Sequence, residues 1–284
     1  MTPALSPSRA ADFKQCPLLF RFRTIDKLAG PPSPAAARGT LVHSVLEHLF
    51  EAPAAERTPE AALALLPGRW AALVEERPEL ADLIADGDAG EGVSEASWLK
   101  DAEALVRRWF ELEDPTRLEP AERELWVETE VDGLTLRGIV DRLDVAPDGA
   151  MRVVDYKTGR SPGERFEGKA LFQMKFYALV LWRTRGEIPK MLQLVYLGDG
   201  QVVRYVPEEH ELRSLERNLQ AVWAAVARAA ETGDWRPSPS KLCGWCDFQE
   251  FCPEFGGNPP PLPDNASSIV LDPQVSGQVE AGED

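Results

Sequence analysis

Several residue types are scarce in this sequence, and each scarcity excludes something. Only four of the 284 residues are cysteine, too few for a disulfide-dense scaffold. No apolar run is long enough to cross a bilayer, and the opening MTPALSPSRAADF lacks the basic and then apolar stretches of a secretory signal; the expectation is a soluble, cytoplasmic chain with no membrane partner. No G-x4-G-K-[ST] phosphate loop occurs, so any ATP-driven unwinding belongs to a separate helicase. Basic charge is short as well: 31 Lys and Arg stand against 47 Asp and Glu, a formal net charge of −16. That excludes a generally basic coat for nucleic acid. The imbalance is uneven, however. Residues 255–284 carry Asp264, Asp272, Glu280, Glu283 and Asp284 with no Lys or Arg, whereas Arg9, Lys14, Arg21, Arg23, Lys27 and Arg38 crowd the N-terminal end, where they could line a local basic groove.

What is present reads as one α/β domain over residues 1–255, followed by an acidic tail at 256–284 whose Pro, Gly and Ser content predicts disorder. Residues 36–51 place Leu41, Val42, Val45, Leu46 and Leu49 at helical spacing. Further helices are expected at 59–77 and 95–113, on either side of a loop at 86–92, and together they make a helical insertion over about 53–118. Its Trp70, Trp98, Trp109 and Phe110 read as core. Strand patterns follow at 124–131, 134–145 and 150–157, punctuated by Asp132-Gly133 and Pro147-Asp148-Gly149, which predicts an antiparallel meander. A helix at 168–184, strands at 191–197 and 201–206 and a final helix at 208–230 complete the pattern. The strand-helix-strand passage implies a parallel crossover and hence a mixed central sheet flanked by helices.

The second hairpin turn carries chemistry. Pairing centred on residue 148 puts Asp141 opposite Asp155, and period-two alternation sends Lys157 to the face of Asp155. A lone Asp-x-Lys is commonly a solvated pair, but Ile139, Val140, Val153 and Val154 give acidic groups little reason to sit mid-strand without a site. Two close carboxylates suit a hard divalent cation, Mg²⁺ or Mn²⁺, and the lysine can stabilise an attacking hydroxide, which is the equipment of phosphodiester hydrolysis.

The segments GIVDRLDV, RVVDYKTG and QMKFY resemble the PD-(D/E)XK nuclease superfamily in its RecB-like branch, with Val140 where the superfamily name has proline. The resemblance implies a restriction-endonuclease-like core, catalytic Asp141, Asp155 and Lys157, and Gln173 and Tyr177 positioning the scissile strand or the attacking water. RGTLVHSVLE at 38–47 is similar to the branch's histidine helix, which implies His43 as a third metal ligand beside Asp141 and Asp155. Glu47 shares the face of His43 and is left outside the ligand set.

Cys243, Cys246 and Cys252 form C-x2-C-x5-C, with Cys16 far upstream. Such grouping favours a metal or cluster, and both a four-thiolate Zn²⁺ site and a [4Fe–4S] cluster are adequate. One N-terminal and three C-terminal cysteines bracketing the nuclease motifs resemble the iron-sulfur staple of AddB-type and CRISPR-associated RecB-like nucleases, which implies the [4Fe–4S] choice. The expected activity is a metal-dependent DNA exonuclease acting on single strands or DNA ends in repair or recombination. The alternatives are a nuclease-like DNA-binding module of a helicase complex that cuts little, and a CRISPR-adaptation nuclease.

Overall fold

The computed structural model describes residues 4–31, 33–85, 94–163 and 167–271. The meander is present as β2 (Glu122–Val131), β3 (Leu134–Val145) and β4 (Met151–Lys157). At its first turn Asp132 and Gly133 both have positive φ, 49° and 80°, the twist a tight hairpin needs and an Asp-Gly pair supplies at least cost. The second hairpin pairs Arg142 with Val154 and Asp144 with Arg152, so its register is centred on residue 148 as the sequence predicts. Helix α7 (Glu167–Arg185) then carries the chain to β5 (Met191–Tyr196), parallel to β4, and β6 (Gln201–Tyr205) returns antiparallel. The mixed sheet is as expected, with one addition: β1 (Ala4–Leu5) pairs parallel with the start of β3. Two residues carry too little pattern to announce a strand.

The two faces of the sheet are covered by different parts of the chain, because alternate strand residues feed different cores. Val153, Leu192 and Leu194 join the core formed with α1 (Pro7–Gln15), α2 (Pro17–Phe20), α7 and α8 (Glu209–Thr232). Val154, Tyr156 and Val195 join the core formed with α3 (Pro34–Leu49), α4 (Pro59–Glu76), α5 (Glu79–Ala85) and α6 (Glu95–Leu112). The helices of the insertion, including the unpredicted α5, therefore supply the second covering layer of the sheet. Trp70, Trp98 and Trp109 are buried there as read, with the rings of Trp70 and Trp98 4.6 Å apart. The loop expected at 86–92 lies outside the described residues.

That layer is bolted on by a buried ion pair. Arg142, on the inward face of β3, donates to Glu113 at 2.8 and 2.7 Å, and Glu113 also accepts from Trp109 Nε1 at 2.9 Å and Gln193 Nε2 at 3.2 Å. Burial raises the Glu113 carboxyl, but the hydrogen bonds and charge of Arg142 outweigh it and hold the group below its usual range.

The tail departs from expectation. Its start is structured: α9 (Ala266–Leu271) buries Ala266 and Val270, Leu262 packs on the core, and Arg21 donates to the Pro260 carbonyl. Composition pointed to disorder because the few apolar residues are diluted by Pro and Gly, yet they dock onto a face already built. Asp272, Glu280, Glu283 and Asp284 lie outside the described residues.

Candidate active site

Strand β3 loses its ladder on both sides at Asp141. The β3–β4 pairing stops at Arg142 and Val154, and the β2–β3 pairing passes from Arg123–Arg142 to Leu125–Val140, skipping Glu124 and Asp141. The Asp141 side chain takes over one of the vacated bonds, its Oδ2 accepting from the Tyr156 N–H at 2.8 Å. Opposite, Glu124 adopts φ 42°, a left-handed conformation that costs a non-glycine residue free energy.

On the face of β4 turned toward α7, Asp155 and Lys157 follow each other at strand spacing. Lys157 Nζ lies 2.8 Å from Asp155 Oδ2 and donates to Gln173 Oε1 at 3.0 Å, while Gln173 Nε2 donates to the Tyr177 hydroxyl at 2.9 Å. Gln173 and Tyr177 sit one turn apart on α7, so the helix presents them as a pair. Gly138 makes room for this: a Cβ there would stand 2.7 Å from Tyr177 Cε1.

Charge is concentrated accordingly. Burial, then the charge of Asp141, pushes the Asp155 carboxyl up to about 6, against the pull of Lys157. Burial would lower Lys157, but Asp155 and Asp141 more than offset it and keep the ammonium charged. Two carboxylates with one lysine remain short of positive charge, which is what a divalent cation provides.

His43 comes from α3 across the sheet edge. Its Nε2 donates to the Tyr156 carbonyl at 2.9 Å, which turns Nδ1 toward the acidic cluster, 3.5 Å from Asp141 Oδ2. Holding the far ring nitrogen on a backbone carbonyl is how proteins orient a metal-ligating histidine. Ligand atoms of His43, Glu124 and Asp141 lie within 4.8 Å of one another, and Asp155, Lys157, Gln173, Tyr177 and Glu47 line the same cavity of about 360 Å³. The geometry thus brings together every residue expected at the centre and adds Glu124. The signal for it was available: pairing about Asp132-Gly133 puts 124 opposite 141, by the same arithmetic that aligned 141 with 155.

The four cysteines are free thiols lining one separate cavity, formed by the start of α2 and the segment 237–255. Backbone N–H groups of Ser238 and Ser240 donate to the sulfurs of Cys16 and Cys243 at 3.3 and 3.2 Å. Burial, with the other three sulfurs nearby, pushes the Cys252 thiol up. Four thiols facing one space, with backbone donors to two of them, fit a thiolate-bound metal or cluster.

A mixed sheet flanked by helices, delivering two carboxylates and a lysine to one cavity, defines a nuclease of the Asp-x-Lys class. The chain belongs to the PD-(D/E)XK nuclease superfamily, whose family model matches residues 4–253. It is 29% identical over 274 residues to the Gene 69 protein of Mycobacterium phage D29, covering 89% of this chain and 97% of that protein. To the Gene 69 protein of Mycobacterium phage L5 it is 27% identical over 290 residues, covering 90% and 98%. Its fold is also similar to the crystal structure of "Putative exonuclease" from Eubacterium rectale, with a TM-score of 0.55, 17% identity and coverage of 86% and 87%. Nucleases of this superfamily use divalent metals, and His43, Glu124 and Asp141 offer a candidate site for one. No described helix is long and apolar enough to cross a membrane.

Proposed function

We propose that the chain is a divalent-metal-dependent deoxyribonuclease, an exonuclease acting on single-stranded DNA or DNA ends during repair or recombination in the cytoplasm. The observation that carries this reading is the convergence of Asp141, Asp155, Lys157 and His43 on one cavity. His43, Asp141 and Asp155, with Glu124 added, would hold Mg²⁺ or Mn²⁺. The cation would lower the pKa of water and neutralise charge on the phosphodiester. Lys157 keeps a proton to donate toward the attacking water or a phosphate oxygen, its other contacts being Asp155 and Gln173. Gln173 and Tyr177 fix the lysine and face the scissile strand. In a test with end-labelled single strands, Asp155→Ala and Lys157→Ala should each cut at least a hundredfold more slowly than the wild type at equal folded content; undiminished cutting by either overturns the assignment.

The cysteine cavity we assign to a structural [4Fe–4S] cluster held by Cys16, Cys243, Cys246 and Cys252. What supports this reading is that one thiol from the start of α2 and three from the C-terminal segment line a single cavity. A brown, anaerobically purified protein with a broad band near the visible edge is expected; a colourless protein containing zinc refutes the cluster.

A further inference from the structure

Beside the catalytic cavity lies a larger one of about 510 Å³, and Ile139, Gln173 and Tyr177 line both. The charged residues around it are Arg9, Arg23 and Arg137 against a single carboxylate, Asp12, so this acidic chain keeps a cationic cavity next to its carboxylate centre. Arg23 holds Asp12 at 2.8 Å, which neutralises the one anion. The N-terminal turn of α1 opens on the same space: Ser6 caps it by accepting from the Arg9 N–H at 3.2 Å, and the turn contains no acidic residue. Trp126 on β2 lines this space and is 49% exposed, unusual for so large an apolar ring. The Arg137 guanidinium lies 5.9 Å from its ring centroid.

We infer that this cavity binds the unpaired nucleotide next to the scissile phosphate, with its base stacked on Trp126 and its phosphates held by Arg9 and Arg137, while Arg23 screens Asp12. Stacking on an indole needs a base freed from its duplex neighbours, and every base offers a π face, so the subsite takes single strands with little regard to sequence. Guanidinium groups meet phosphate oxygens with paired donors and fix the strand without reading it. A nucleotide seated here has its neighbouring phosphate directed to the side of the cavity bounded by Gln173 and Tyr177. The inference rests on the nuclease reading and adds to it the cavity that seats the nucleotide and the residue that grips the base.

The test is binding of a fluorescein-labelled oligothymidylate in EDTA, followed by anisotropy, for the wild type, Trp126→Ala and Trp126→Phe. Trp126→Ala should raise Kd roughly tenfold, and Trp126→Phe should keep most of the affinity. An abasic position walked along the strand should find one site where losing the base weakens the wild type but not Trp126→Ala, a coupling that a merely structural tryptophan would not show. If Trp126→Ala binds and cuts like the wild type, the subsite is wrong and the nuclease reading stands. If the wild type binds with this coupling yet never cuts with Mn²⁺, the nuclease reading falls and the subsite stands. A wild type that fails to bind the single strand overturns the subsite outright.

Discussion

Asp155 is a residue whose burial works against the folded state and for the site. With its carboxyl pushed up to about 6 from an ordinary value of 3.8, the folded form binds a proton more tightly than the unfolded form between those limits. Stability of the metal-free protein therefore falls as pH rises through that window. Asp155→Asn should accordingly melt higher than the wild type in EDTA at pH 7, by roughly 2 kcal/mol, with the difference shrinking below pH 5 while cutting is lost. Thermal melts across pH check this, and a variant that melts lower at pH 7 would show that Asp155 supports the fold instead. Gly138 makes the complementary case. A methyl placed 2.7 Å from the Tyr177 ring must move it, so Gly138→Ala should cost about 1–3 kcal/mol and slow cutting more than it weakens strand binding. Equal rates in single-turnover assays would show that Tyr177 need not hold its position.

Among the elements, the layers hang on one buried pair. Glu113 ends the α6 side of the second core and Arg142 belongs to β3, one residue from Asp141, so the ion pair joins the insertion to the strand that carries Asp141. Removing the carboxylate leaves a buried guanidinium without its bidentate partner, and Glu113→Ala should lose about 3–5 kcal/mol by denaturant melts. Because the Glu113 carboxyl is held below its ordinary value, the stability it gives is present above the usual carboxylate range and drains away as pH falls through the lowered folded-state value. A Glu113→Ala variant that keeps wild-type stability at pH 7 would remove the pair from the account. Much of this layer was legible. Periodicity placed α3, α4, α6 and the strands, and two Asp-Gly turns set both registers, because tight turns fix what lies opposite. The short β1 and α5 were not, since neither is long enough to show a period, and the left-handed backbone of Glu124 has no marker in residue type. Alternation along β3 already sends Arg142 to the face opposite Asp141; only the insertion folded against the sheet shows that Glu113 meets it there.

For the molecule as a whole, charge is divided by place. The chain is acidic overall, yet it gathers arginines from α1, the segment after α2 and β3 around a cavity next to the one that holds Asp141 and Asp155, the local exception that composition alone could not locate. The cysteine segment returns to the start of α2, so residues 235–255 pack beside the start of the described chain, Phe20 stacking on Trp235 at 5.7 Å. The central claim is that Asp141, Asp155 and Lys157 form a metal-dependent nuclease centre. The measurement that tests it most directly is single-turnover cutting of an end-labelled single strand as Mn²⁺ is titrated, for the wild type and Asp141→Ala side by side. The account predicts no cutting by the wild type in EDTA, saturable cutting with Mn²⁺, and none by Asp141→Ala at any concentration while its circular dichroism matches the wild type. Cutting by the wild type in EDTA, or by Asp141→Ala at the wild-type rate, would contradict it.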